Sequence, residues 1–118
     1  MAWDKTQPKP KVIIPPDGMH SILMVDPDAP SRSNPKYKYW LHWMVVNNHD
    51  EVVQFEPPTP PAGSGFHRYF IILFKQNGLM DKRLLKPTPE RKNFNCGEFV
   101  AKHGLTKVAQ IHFVTKRE

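Results

Sequence analysis

A single cysteine, Cys96, stands in 118 residues, so no internal disulfide can form. Packing alone must then hold the fold, and a reducing cytoplasmic setting is the expectation. No apolar run approaches the roughly 20 residues that cross a bilayer. The start, Met1-Ala2-Trp3-Asp4-Lys5, lacks the apolar core of a secretory signal. Repeats of fixed period and long low-complexity tracts are also missing, which sets solenoids and disordered tails aside. Glycine is sparse at six, whereas proline is abundant at thirteen. The prolines fall in groups that bound apolar segments, a pattern of stiff loops between strands.

This length accommodates one hydrophobic core, so residues 1–118 are read as one domain and any site must share that core. The net charge of +6 favours phosphate, acidic proteins or an anionic membrane surface as partners. Its lysines and arginines are scattered, with a loose grouping at Lys82-Arg83, Lys86, Arg91-Lys92 and Lys116-Arg117. No nucleic-acid-binding module accompanies the charge, and no nucleic-acid partner is expected.

Short apolar runs dominate what remains. Ser21 to Val25 reads as a strand buried on both faces, and Trp40 to Val46 as another. The turn-forming Asn47-Asn48-His49-Asp50 leads into a returning arm, Glu51 to Phe55. From Phe66 to Phe74, alternation puts His67, Tyr69, Ile71 and Leu73 on one face and Arg68, Phe70 and Ile72 on the other. Asn95 is a candidate N-cap with Glu98 three residues on, and Phe94 is placed to staple onto Phe99. This predicts a helix of about two turns near 96–103, closed by Gly104, before a last strand at 108–115. Residues 77–91 read as a long surface loop. The predicted class is all-β, mainly antiparallel, with two packed sheets and one or two short helices.

If the first four strands alternate in direction, their polar ends meet. Asp26 closes the first at one rim; His42 leaves that rim on the second; His67 and Tyr69 leave it on the fourth. Two proline-rich loops, 26–35 and 57–65, fall on the same rim. Gly63-Ser64-Gly65 suits an anion nest, because glycine lets successive N–H groups turn toward one point. Imidazoles can donate to phosphate oxygens, and Asp26 can hold one in the donating tautomer. A preformed pocket for a small anion is the expectation.

Blander roles suit several neighbours. Asp28 and Arg32 have the chemistry to tie down a tight loop, and Arg68 suits an ion pair on the far face. Trp40 and Trp43 are expected on opposite faces of their strand, with Trp40 beside His42 as a pocket wall. Cys96 reads as an inert thiol. His42, His67 and Asp26 have the composition of a two-histidine, one-carboxylate metal triad, and a His/Asp pair also suits a hydrolase. No nucleophile motif or established metal-ligand spacing accompanies them. No catalytic residue, metal or cofactor is therefore assigned.

Asp26-Pro27-Asp28-Ala29-Pro30-Ser31-Arg32, Trp40-Leu41-His42 and Gly63-Ser64-Gly65-Phe66-His67-Arg68-Tyr69 together resemble the signatures of the phosphatidylethanolamine-binding protein family. The likeness runs from about Trp3 onward and is weakest over 77–91. It implies a pocket for phosphate-like groups, including phospholipid headgroups, lined or shaped by Asp26, Asp28, Pro30, His42, His67 and Tyr69. It also implies a non-enzymatic regulator of a kinase, a protease or a transcription complex, with peripheral membrane contact in reach, and a cis Ala29–Pro30 bond. Family members usually carry further strands before the region matching Trp3 and a C-terminal helix beside the pocket. Their lack here is expected to leave the pocket more open and to bare apolar surface for self-association as a homodimer. A purely structural interaction protein with a vestigial pocket is the remaining alternative.

Overall fold

In a computed structural model, residues 3–29, 31, 33–34, 36, 38–86 and 88–117 are described. The strands are β1 (His20–Asp26), β2 (Trp40–Val46), β3 (Asp50–Val53), β4 (His67–Lys75) and β5 (Thr106–Thr115). They form one antiparallel sheet in the order β3-β2-β1-β4-β5. The mainly antiparallel all-β class expected from the sequence is what the chain adopts. Where two packed sheets were expected, the described strands join into a single one. The reason lies in what covers its faces.

β1 sits at the centre and is buried along its whole length, as its unbroken apolar run requires. On one face Leu23, Val25, Leu41, Ile72 and Phe74 pack beneath Leu85, Phe94, Phe99 and Leu105. That cover comes from the segment after β4 and from helix α1 (Cys96–Lys102). On the opposite face Ile22, Met24, Trp43, Tyr69 and Ile71 are covered by Val12 and Ile14 of the N-terminal segment and by Phe55. Each fully buried aliphatic side chain contributes about 1.5–3 kcal/mol. Loops and one helix thus do the work of a second sheet.

Helix α1 forms where the capping residues predicted it. The Asn95 side chain accepts from the Glu98 amide at 2.9 Å, and the rings of Phe94 and Phe99 lie 5.6 Å apart. Gly104, with φ of 60°, takes the left-handed conformation that ends it. Among the described residues no helix is long and apolar enough to cross a membrane.

Two local readings change. The stretch 77–91 is not merely a surface loop, because it contains the 3-10 turn Lys82–Leu85 with Leu85 buried in the core. β3 stops at Val53 rather than Phe55, because the Gln54 carbonyl turns to Arg91 Nη2 at 2.6 Å. Pro30 and the expected cis Ala29–Pro30 bond lie outside the described residues.

Candidate functional site

Strand direction delivers the rim convergence. β1 ends where β2 and β4 begin, so Asp26, His42, His67 and Tyr69 meet around a cavity of about 250 Å³. Trp40 and Ala29 line it as well, and Thr59, Pro60 and Pro61 form its far wall. That wall is braced from behind, because Trp3 Nε1 and Gln7 Nε2 each donate to the Pro58 carbonyl at 2.8 Å.

A break in alternation puts His42 there. Met24 pairs with Trp43 and Val25 with Leu41, so His42 is the extra residue of a β-bulge. The bulge keeps Trp43 on the same face as the cavity, packed with Tyr69, while Leu41 and Met44 face the helix side. This corrects the expectation that Trp40 and Trp43 lie on opposite faces. Apolar periodicity does not reveal a bulge, because the surplus residue shows only against its partner strand.

Asp26 and His67 form the most buried polar pair of the site. Asp26 Oδ2 lies 2.7 Å from His67 Nδ1, and its Oδ1 accepts from the Asp28 amide at 2.7 Å. A carboxylate only accepts, so Nδ1 carries the proton. On the other side of the ring Nε2 lies 3.0 Å from Ser64 Oγ, whose single proton has the Pro61 carbonyl as a competing acceptor at 2.6 Å. Both nitrogens of His67 are thus engaged within the protein.

His42 differs. Its Nδ1 donates to the Glu56 carbonyl at 2.7 Å, leaving Nε2 without a hydrogen-bond partner among the described residues. Burial lowers its pKa most, with Arg91 adding to the effect, against the Glu56 carbonyl and the charges of Asp26 and Glu56. The neutral ring therefore offers a lone pair at Nε2. Tyr69 is fully buried, stacked on Phe113 at 5.4 Å with the His42 ring edge-on at 5.3 Å. Burial, then the charges of Asp26 and Asp28, raise its pKa far above the ordinary phenol value. It remains an O–H donor at any physiological pH, and no hydrogen bond engages it among the described residues.

Asp28, Gly63, Ser64 and Gly65 are not among the residues that line the cavity. Asp28 is buried, but its two oxygens accept from Arg68 Nη2 at 2.9 Å, Arg68 Nε at 3.0 Å and the Arg68 amide at 2.8 Å. It ties the loop down rather than facing a ligand. Gly63 and Gly65 take positive φ of 81° and 85° and are exposed, whereas the Ser64 amide bonds to the Pro61 carbonyl at 3.0 Å. A closed turn thus replaces the expected anion nest, and of the three only Ser64 reaches the site, through His67. Cys96 is half-buried, and burial raises its pKa, which disfavours the reactive thiolate.

Glu56 and Arg91 were missed. Glu56 accepts from Trp40 Nε1 at 3.0 Å through its carboxylate and fixes His42 through its carbonyl. Arg91, whose main chain runs beside β2, donates through Nη1 to the Leu41 and His42 carbonyls at 3.0 Å each. Among the described residues no group of three His, Cys, Asp or Glu side chains has the arrangement to hold a metal ion.

Fold and rim together define an antiparallel β protein with a proline-walled, polar-floored cavity at one end of the sheet. The family model described as phosphatidylethanolamine-binding protein matches residues 3–51 and 47–117, and the chain belongs to that family. It is 46% identical over 122 residues to a phosphatidylethanolamine-binding protein homolog of Acanthamoeba polyphaga mimivirus, covering 98% of this chain and 85% of the relative. It is 37% identical over 109 residues to the rice protein MOTHER of FT and TFL1 homolog 2, covering 85% of this chain but 62% of the relative. The chain thus spans less than two thirds of the rice protein's length. Among solved structures, a carboxypeptidase Y inhibitor complexed with its cognate proteinase superposes with a TM-score of 0.85 at 21% identity. That match covers 100% of this chain and 75% of the other, and it speaks for the fold.

Proposed function

We propose that the rim cavity binds a small phosphate-bearing headgroup of the phosphoethanolamine type, and that the protein acts without turnover as a regulator of a kinase or protease. One observation carries this reading: Tyr69 and His42 present uncommitted polar atoms to a cavity whose remaining wall is Ala29, Trp40, Thr59, Pro60 and Pro61 around the paired Asp26 and His67. The phenol donates to a phosphate oxygen as it stands, and His42 donates after taking up a proton that the anion itself stabilises. Asp26 is kept from repelling the anion strongly because His67 and the Asp28 amide occupy its oxygens. The prolines and Trp40 offer apolar contact to the ethylene portion. A reducing cytoplasm suits the lone thiol.

Titrating the ¹⁵N-labelled protein with phosphoethanolamine tests the proposal. The His42 ring and the Tyr69 amide are expected to shift in a saturable way by millimolar ligand. An unmoved spectrum at that concentration refutes it.

A second reading has its own observation. Ser64, His67 and Asp26 are connected at 3.0 and 2.7 Å in the order of a serine-hydrolase triad. The bond from Ser64 to the Pro61 carbonyl at 2.6 Å draws the hydroxyl proton away from His67 and favours a brace over a nucleophile. Labelling of Ser64 by a fluorophosphonate, absent in Ser64→Ala, would favour hydrolysis.

A further inference from the structure

We infer that Arg91 is the positioning residue of the rim cavity: it clamps the β-bulge open so that the His42 imidazole faces the cavity in a single tautomer. The inference rests on the binding reading above only for its effect on ligand affinity.

In a regular strand, consecutive carbonyls point to opposite sides. At the bulge they do not. The Leu41 and His42 carbonyls both turn to one nitrogen, Arg91 Nη1, at 3.0 Å each. The other terminal nitrogen, Nη2, takes the Gln54 carbonyl at 2.6 Å, where β3 has already left its partner. A single guanidinium therefore reaches three backbone acceptors next to the short pairing of β2 with β3, and it shares one of them, the His42 carbonyl, with the Glu56 amide. The Arg91 main chain joins in, because its carbonyl accepts from the Leu41 amide at 2.8 Å.

The same side chain also holds the partner that orients the ring. Arg91 Nε lies 3.6 Å from the Glu56 carboxylate. The Glu56 amide donates to the His42 carbonyl at 2.9 Å, and the Glu56 carbonyl takes the His42 Nδ1 proton at 2.7 Å. Arg91 and Glu56 thus grip His42 by its main chain and its ring. Arg91 is not itself among the residues lining the cavity. It comes from the segment before α1, fifty residues beyond Leu41 in sequence. A planar fork fits this task, whereas an ammonium cannot address separated carbonyls in fixed directions.

The test is Arg91→Lys in protein labelled with ¹⁵N at histidine, with Glu56→Gln as a milder variant that keeps Arg91 but weakens its anchor. Folding of each is checked by its amide spectrum. In the parent the His42 ring should show one tautomer, protonated at Nδ1. Arg91→Lys should give a mixture of tautomers and bind phosphoethanolamine about tenfold more weakly, the size typical of groups that orient a binding histidine. Glu56→Gln should move both readouts in the same direction. Folded variants with the parent's tautomer and affinity overturn the inference; should Arg91→Lys fail to fold, Glu56→Gln with parental values overturns it alone. If the parent binds no phosphoethanolamine, the binding reading falls and the ring tautomer by itself decides the role of Arg91.

Discussion

Asp26 and His67 stand 41 positions apart in the chain and 2.7 Å apart in space, both almost fully buried. The pair joins the end of β1 to the start of β4, so it closes the sheet's rim as well as orienting the imidazole. Neither partner can be lost without leaving the other buried and unmatched.

Asp26→Asn tests that relationship. An amide presents one acceptor, and both the Asp28 amide and His67 Nδ1 seek one. The expected outcome is transfer of the His67 proton to Nε2, seen in ring ¹⁵N shifts, with a loss of about 1–3 kcal/mol in urea denaturation. An unchanged tautomer and stability would contradict the assignment.

Tyr69→Phe separates binding from packing. The ring keeps its stacking on Phe113, so stability should fall by less than about 1 kcal/mol. Phosphoethanolamine affinity should drop about tenfold, as for loss of one hydrogen bond to a charged group. Calorimetric titration measures both the parent and the variant.

The pH dependence follows from His42. Its pKa is depressed in the folded chain, mainly by burial, so the unfolded chain binds more protons as the pH falls through the ordinary histidine value of 6.5. The stability contributed by the neutral ring is present above that value and is lost as pH falls toward the lower folded pKa. Anion binding runs the other way, because a bound phosphate favours the protonated ring. Between pH 7.5 and 5.5 the free protein should lose denaturant resistance while its affinity for phosphoethanolamine rises. His42→Gln should flatten both trends.

The outer edge of β5 bears on self-association. This strand pairs with β4 on one side, and its Val108 and Ile111 are about half or more exposed. This ten-residue edge carries no proline, and although Lys107 and a bulge at Val108 interrupt it near its start, the stretch from Ala109 to Thr115 is a template for a second copy. Sedimentation should show concentration-dependent association that Ile111→Lys diminishes. A parent that stays monomeric at high concentration would exclude it.

Much of this arrangement was legible in the residues. Asn95, Glu98 and the two phenylalanines specify α1 locally, and the apolar runs specify β1, β2 and β4. Direction alone then gathers Asp26, His42, His67 and Tyr69, because short connections leave antiparallel neighbours little choice. Three features were not legible. The bulge at His42 exists only relative to β1. Arg91 acts on main-chain carbonyls far away in sequence, which no side-chain pattern announces. Gly63 and Gly65 suit a nest and a hydrogen-bonded turn equally well, and the Pro61 carbonyl decides between them.

The surplus residue in β2 makes the cavity sensitive to phase. Deleting Leu41 would restore strict alternation and drive the His42 ring toward the aliphatic layer beneath α1, so this one-residue shortening should be far less tolerated than most point substitutions along the strand.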